Sequence, residues 1–83
     1  METRVALIGI LVSDTSSVEQ LNQLLHEYGD YIIGRMGIPY KKQNISIMSI
    51  ALDAPQDVIS ALSGKLGALY GVSTKTVMPK ISD

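Results

Sequence analysis

The 83-residue sequence contains no cysteine and few charged residues. The absence of cysteine excludes disulfides, thiolate zinc sites, cysteine-ligated iron–sulfur clusters and cysteine nucleophiles. Charged residues make up 18% of the chain, and the formal net charge is -1 at pH 7. The basic residues are scattered apart from the pair Lys41-Lys42, whereas a nucleic-acid surface needs clustered positive charge. We therefore expect no direct binding to DNA or RNA.

Long hydrophobic runs are also missing. The apolar stretch near the N-terminus covers only Val5 to Val12, and no small-residue cleavage site follows it, so it fits neither a membrane span nor a signal peptide. With 46% hydrophobic residues the chain is too apolar for a disordered segment. We expect a cytoplasmic protein with no membrane contact. Because chains this short rarely hold two cores, residues 1–83 should form a single domain.

The hydrophobic pattern predicts four strands. The segments from Val5 to Val12 and from Ile45 to Leu52 are apolar in both alternating registers, which is typical of central strands covered on both faces. The segments from Tyr31 to Ile38 and from Val72 to Met78 carry glycine, arginine or lysine, as edge strands do. A polar turn, PYKKQN, separates the second strand from the third.

Two helices are predicted between these strands. Ser16 and Glu19 have the spacing of a capping box, which indicates a helix from there to about Tyr28, with Gly29 in the left-handed position after it. The proline of Asp53-Ala54-Pro55 marks the start of the second helix, which should end at about Gly67. The apolar residues that recur at helical spacing are Val18, Leu21, Leu24, Leu25 and Tyr28 in the first helix, and Val58, Ile59, Leu62 and Leu66 in the second.

The order βαββαβ predicts an α+β fold of the ferredoxin-like type. In that arrangement the first and third strands occupy the centre of a four-stranded antiparallel sheet, and both helices cover one face. The two most apolar segments fall where this topology places its central strands. The two cues are independent, and their agreement supports the fold prediction.

Two helices leave the second face of such a sheet uncovered, although its central strands are apolar on both sides. Four strands of six residues give a face of roughly 400 Å², whose burial is worth roughly 10 kcal/mol before the costs of association. We expect the chain to form a homodimer or homotetramer through this face. The alternative is a partly exposed sheet that Ser46, Ser49, Thr74 and Thr76 keep hydrated.

Few residues suggest chemistry. His26 lies beside Asn22 on the polar side of the first helix, where it is either a weak metal or acid–base group or a solvated side chain. Asp14 either orients a small ligand or supports the helix N-terminus. Arg35, on an edge strand between two glycines, either meets a ligand or blocks edge-to-edge aggregation. We therefore predict no catalytic residues, no metal site and no cofactor.

The runs YIIGRMGIPY, LDAPQDVISALSGKLG and GVSTKT closely resemble the family of regulators proposed for the iron-only hydrogenase system. The likeness extends from Arg4 to Val77. Members of that family are similar to ACT-type regulatory domains and to the ligand-binding domain of the nickel-responsive repressor. The resemblance implies an oligomeric, ACT-like domain with a regulatory role in transcription.

The nickel-binding residues of the nickel repressor have no counterparts in this sequence. Its His-x-His falls near Gly37-Ile38-Pro39 and its cysteine near Ile45, so its square-planar nickel site is not expected here. The chain opens directly into its first strand, so a separate DNA-binding protein would have to supply any DNA contact. In ACT domains, small ligands often lie between subunits near the first strand–helix loop. That position implies a ligand site formed by Ser13, Asp14, Gly34 and Arg35.

Together these observations predict a non-catalytic regulatory module that senses a small-molecule effector or a partner in an iron-only hydrogenase system. Two alternatives stay open: a small ferredoxin-like enzyme that holds its substrate over the uncovered sheet face, and a purely structural adaptor.

Overall fold

The computed structural model describes residues 2–80 of the chain. Its strands are β1 (Arg4–Val12), β2 (Ile32–Tyr40), β3 (Ile45–Ala54) and β4 (Val72–Val77), and its helices are α1 (Val18–Glu27) and α2 (Gln56–Gly67). Short 3₁₀ turns at Thr15–Ser17 and Gly29–Tyr31 flank α1. The element order confirms the predicted βαββαβ arrangement.

The four strands form one antiparallel sheet in the order β2-β3-β1-β4. The two strands that are apolar in both registers, β1 and β3, are therefore central, as predicted. Their register pairs Ile8 with Ile50, and Ile8 also pairs with Thr76 of β4. Residues paired in this way project from the same face of the sheet, so the register assigns every strand residue to a face.

Both helices pack on one side of the sheet, which we call the covered face. Alternate residues of β1 and β3 point into this layer, and Ile8, Ile50 and Leu52 are fully buried. The helices contribute the buried residues Leu21, Leu25, Ile59, Leu62 and Leu66, which form one cluster with the strand residues. The stripes predicted from helical spacing are thus the ones that pack, and the ferredoxin-like α+β fold is confirmed.

The capping box predicted at the start of the first helix is wrong. The residue before α1 is Ser17, and its side chain makes no capping hydrogen bond. Instead Oδ1 of Asp14 accepts a hydrogen bond from the backbone N–H of Ser16 at 2.8 Å, and a 3₁₀ turn precedes the helix. An aspartate side chain readily accepts a hydrogen bond from the backbone N–H two residues on. Asp14 therefore takes the backbone N–H of Ser16 that Glu19 would accept in a capping box.

The left-handed conformation predicted for Gly29 is also wrong. Gly29 begins the second 3₁₀ turn, and within residues 2–80 the positive φ angles belong to Asn44 (φ 55) and Gly71 (φ 71). The residues of this 3₁₀ turn have φ angles outside the left-handed region, so the chain leaves α1 without a left-handed residue. Gly71, in the connection before β4, is the glycine that adopts a left-handed conformation.

Element ends differ by one or two residues from the prediction. Strand β2 continues through Pro39 to Tyr40, and β3 continues to Ala54. Proline is tolerated on β2 because this strand lies at the edge of the sheet, where an N–H can face away from the ladder. Pro55 precedes α2 as its N-cap residue and does not lie within its first turn.

Candidate functional site

The second side of the sheet, which we call the open face, is covered by no element within residues 2–80. Of the eleven large hydrophobic side chains that are exposed, eight project from this face according to the strand register. Their exposed fractions run from 39% for Ile47 to 61% for Met36. The eight residues are Val5, Leu7, Leu11, Met36, Ile38, Tyr40, Ile47 and Val77.

Three of the four hydroxyl residues that would keep this surface hydrated under the alternative of an exposed sheet lie on the other side. Ser46 pairs with Val12, Thr74 with Ile10 and Thr76 with Ile8, so all three belong to the covered face. There Oγ1 of Thr76 donates a hydrogen bond to Oγ of Ser63 in α2 at 3.1 Å. Ser49, opposite Gly9, is the one of the four that projects from the open face, so this surface is more apolar than the sequence suggested.

A hollow of about 390 Å³ lies on the open face at Gly9. Its lining includes Leu11, Ile47, Ser73 and Lys75. The hollow exists because Gly9 has no side chain in the middle of the sheet. Its charged group is the ammonium of Lys75, and its lining contains no carboxylate or imidazole that could exchange a proton with a substrate.

Ser13 and Asp14, two of the predicted ligand residues, lie together after β1. The backbone N–H and the hydroxyl of Ser13 both donate to the carbonyl oxygen of Gly71, at 2.8 and 3.0 Å. The side chain and then the backbone N–H of Ser16 lower the pKa of the Asp14 carboxyl. A Cβ on Gly71 would lie 2.6 Å from Cβ of Asp14, so the loop fits closely against the start of β4.

Gly34 and Arg35, the other two predicted residues, point to opposite sides of the sheet. A register shift between Ile32 and Gly34 inserts one extra residue into β2, which is a β-bulge. After it Gly34 pairs with Ala51 and faces the open side, whereas Arg35 pairs with Ile50 and faces α1. There Nη2 of Arg35 donates a hydrogen bond to Oδ1 of Asn22 at 3.1 Å.

The two pairs of predicted residues do not meet within one chain. The end of β1 at Val12 aligns through β3 with Pro39, which is four residues from Arg35. At about 3.3 Å per residue and 4.8 Å per strand, Arg35 lies about 13 Å from the end of β1 along the strands and about 10 Å from it across the sheet. A site that uses Ser13, Asp14, Gly34 and Arg35 together therefore requires two chains, and it stays a prediction.

A groove between α1 and β2 runs along both sides of Arg35. A cavity of about 190 Å³ on one side and a cavity of about 410 Å³ on the other share Arg35 and Asn22 in their linings. The sequence did not indicate Asn22 as a site residue, because its position beside Arg35 depends on how α1 packs over β2. The one available signal was the spacing of Asn22 and His26, which places both on the polar side of α1.

His26 is exposed and lines the larger of these cavities. Within residues 2–80 no group of three or more histidine, cysteine, aspartate or glutamate side chains could hold a metal ion. No helix in the same part of the chain is long and apolar enough to cross a membrane.

The open face, the groove and the loop at Ser13 can be set beside known proteins. The solved structure of the uncharacterized protein TM1266 from Thermotoga maritima superimposes with a TM-score of 0.91 and 39% sequence identity, and the match covers 95% of this chain and 100% of that one. No curated protein matches the chain.

More distant structures share the fold alone. A formyltetrahydrofolate deformylase from Pseudomonas putida KT2440 matches with a TM-score of 0.60 and 16% identity, over 94% of this chain and 29% of the deformylase. The divalent ion tolerance protein CutA1 from Ehrlichia chaffeensis matches with a TM-score of 0.52 and 13% identity, over 100% of this chain and 88% of CutA1. These identities are too low to transfer an activity.

The family model named TM1266-like, described as "Iron-only hydrogenase system regulator, putative", matches residues 4–76. This range contains β1, β2, β3, both helices and all of β4 except Val77. Together with the 39% identity to TM1266 over nearly the whole chain, it shows that the chain belongs to the TM1266-like family of iron-only hydrogenase system regulators.

Proposed function

We propose that the chain is a non-catalytic, cytoplasmic regulatory module of an iron-only hydrogenase system that associates through its open face and responds to a small ligand. The observation that carries this proposal is the open face itself, with eight large hydrophobic side chains exposed on one side of a four-stranded sheet. Contiguous apolar surface of this kind marks interaction sites in proteins.

The area of the open face suits a reversible association. Strands of the observed lengths give a face of roughly 500 Å², so two such faces would bury roughly 1,000 Å². That value lies at the lower limit for specific interfaces. An assembly of marginal stability is one that a ligand can form or dissolve with a modest differential affinity.

The charges on the open face favour a second copy of the same chain as its partner. Asp53 pairs with Val5 and Lys75 pairs with Gly9, so the register places one carboxylate and one ammonium on this face. A surface that carries one charge of each sign is complementary to itself in a two-fold arrangement. A partner of strongly basic or acidic character would gain no such match.

A two-chain assembly could also bring the predicted ligand residues together in one site. Ser13 and Asp14 of one chain could complete a site with Gly34 and Arg35 of the other, which a single chain keeps apart. A ligand bound across two chains stabilises the assembled state by mass action. If the module acts on transcription, a separate DNA-binding protein would supply the contact with DNA.

The two alternative functions have less support. An enzyme with its substrate over the open face would use the hollow at Gly9, whose lining provides Lys75 and Ser73 but no general acid–base pair. A structural adaptor would need the open face for a permanent partner and would not respond to ligands. The experiments below separate these functions from a ligand-responsive module.

Sedimentation velocity over a concentration series tests the association directly. Leu7 lies at the middle of the open face, between Ala51 and Val77, and its side chain is 46% exposed. We expect Leu7→Lys to sediment as a monomer at concentrations where the parent chain associates, because a lysine there would have to be desolvated. The matched control is Tyr70→Lys, since Tyr70 is 76% exposed and lies outside the sheet.

The proposal predicts that Tyr70→Lys associates like the parent chain. A parent chain that stays monomeric at all concentrations would contradict it, and so would equal behaviour of the two lysine variants. Association that no small molecule alters, in a thermal-shift survey of organic acids and amino acids followed by sedimentation, would favour the adaptor.

A further inference from the structure

The groove between α1 and β2 combines a positive charge with apolar walls. Its cavity of about 190 Å³ is lined by the apolar residues Val12, Val18, Leu21, Ile38, Pro39 and Met48. The polar groups at this end are the guanidinium of Arg35, the amide of Asn22 and the hydroxyl of Ser46. A site of this composition fits a small molecule with one charged end and one aliphatic end.

Arg35 and Asn22 are arranged to donate hydrogen bonds. Nη2 of Arg35 donates one hydrogen bond to Oδ1 of Asn22, and this bond orients the two side chains relative to each other. A guanidinium has five donors and an amide nitrogen has two, so most of their donors remain available. The hydrogen-bond partner of Arg35 is a neutral amide, and this contact therefore leaves its positive charge uncompensated. A carboxylate is the group that such a pair of donors recognises.

The groove offers no negative charge to an ammonium group. Among the described residues, the linings of the two cavities that share Arg35 contain no aspartate or glutamate, and the second cavity adds His26 and Leu25 instead. An amino acid would therefore bring its carboxylate to Arg35 but would have to desolvate its ammonium without a counter-charge. We therefore expect the groove to favour simple acids over amino acids.

We propose that this groove binds a short aliphatic carboxylate without an amino group. Its carboxylate accepts hydrogen bonds from Arg35 and Asn22, and its hydrocarbon end lies among Val18, Leu21 and Met48. The inference rests on the proposed function in that it names the class of ligand such a module would sense. It differs in placing the ligand within one chain, on the covered side of β2.

Gly37 gives a way to block the groove without disturbing the sheet. Gly37 pairs with Met48, lines the cavity, and has a φ angle outside the left-handed region. A Cβ built on it would lie 3.9 Å from Cγ of Met48, which is an ordinary contact. Gly37→Val therefore fits the strand, and its side chain occupies the space of the ligand's hydrocarbon end.

The test is a titration of the ¹⁵N-labelled protein followed by amide chemical shifts. The probes are 3-methylbutanoate, L-valine, which differs from it by an ammonium group, and 3-methylbutanamide, which lacks the charge. We expect 3-methylbutanoate to shift the amides of Val18, Leu21 and Met48. The other two probes should bind at least about tenfold more weakly, as expected when a charge-assisted pair of hydrogen bonds is lost or offset.

Two variants and two controls locate the site. Arg35→Gln and Gly37→Val should each weaken the binding of 3-methylbutanoate by about tenfold or more. Arg4→Gln, which removes an exposed arginine bonded to Gln56, should bind it normally. So should Gly64→Val, at a position where a Cβ meets no atom within 4 Å apart from its own helix backbone and chain neighbours. The amide spectrum of each variant shows whether its fold is intact, and Arg35→Gln carries the test if Gly37→Val fails to fold.

Equal affinity for the three probes, or shifts that map to the open face, would overturn the proposal. Sedimentation with and without 3-methylbutanoate separates it from the proposed function. Binding that leaves sedimentation unchanged supports the groove and counts against a ligand-responsive assembly. Concentration-dependent association in a chain that binds none of the probes overturns the groove and leaves association through the open face standing.

Discussion

Leu7 and Ile8 are neighbours on β1 and have side chains of the same size and polarity, yet 46% of Leu7 and 0% of Ile8 is exposed. The same contrast holds across the whole sheet, because both faces carry aliphatic residues and helices cover only one of them. Apolar character along a strand therefore indicates that a surface is to be buried, but it does not indicate whether the chain itself supplies the cover.

The two faces should contribute to different equilibria. Side chains on the covered face lose contact with water when one chain folds, so changes there alter the free energy of unfolding. Side chains on the open face gain burial only when chains meet, so changes there alter the dissociation constant. Each prediction below tests this division, starting with the largest expected effect.

Truncating Ile8 and Leu7 in turn gives the strongest contrast. Ile8→Ala should lower the free energy of unfolding by about 2–5 kcal/mol, because it leaves a cavity in the packed layer. Leu7→Ala should lower it by less than about 1 kcal/mol in the monomer, since half of that side chain already meets water. Urea denaturation in dilute solution measures both values, and equal losses would show that the open face also stabilises the single chain.

Alanine at two glycines compares the loop that fits against β4 with the open face. Gly71→Ala should destabilise the fold by about 1–3 kcal/mol, because its φ is +71° and the new Cβ would lie 2.6 Å from Cβ of Asp14. Gly34→Ala adds a methyl group where no atom lies within 4 Å, so it should be neutral or stabilising by up to about 1 kcal/mol. The midpoints of thermal unfolding give the order of the two variants, and a Gly71→Ala protein as stable as Gly34→Ala would be incompatible with this loop geometry.

Charge reversal on the open face should affect association and leave folding almost unchanged. Lys75→Glu gives each face two negative charges, and two copies then repel, so the dissociation constant should rise about fivefold at low salt. The double change Asp53→Lys and Lys75→Glu restores one charge of each sign and should restore association. Sedimentation equilibrium at low and high salt measures this, and a double variant no better than the single one would argue against a second copy as the partner.

The smallest expected effect concerns the pH dependence of stability through Asp14. Hydrogen bonds from Ser16 lower the pKa of this carboxyl below its ordinary value of 3.8 in the folded chain. A group whose pKa is lower in the folded state stabilises that state above the unfolded pKa and loses this contribution as the pH falls through the folded pKa. The parent chain should therefore exceed Asp14→Asn slightly in stability at neutral pH, and the difference should vanish in acid.

Urea midpoints at neutral pH and below about pH 3 would measure this difference. A gap between the two proteins that widened in acid would reverse the sign assigned to Asp14.

Much of the fold could be read from the sequence because period and topology agree. Alternation identified the faces of β1 and β3, helical spacing identified the buried residues of both helices, and the order of elements placed the central strands. These signals are local, and each follows from the regular geometry of one element. The helix start at Ser16 was predicted wrongly because Asp14 accepts the hydrogen bond from the Ser16 backbone N–H that Glu19 would accept in a capping box.

The candidate sites could be predicted only in part because they depend on contacts between elements. Nothing local to Asn22 shows that α1 lies over β2, so its hydrogen bond with Arg35 appears only once the helix is packed. The assignment of Ser46, Thr74 and Thr76 to the hydrated side failed for a related reason. Their polarity suggested exposure, whereas the register of the strands places all three under the helices.

The extra residue in β2 bears on how insertions and deletions would act in this protein. If one residue were inserted between Gly34 and Arg35, each following residue would shift by one pairing position, and Arg35 would then align with Ser49. The guanidinium of Arg35 would then project from the apolar open face, while Met36 and Ile38 would project into the space beside Asn22. A single-residue insertion there would thus exchange the contents of two surfaces at once, whereas deletion of Ile33 would remove the bulge and keep every following pair.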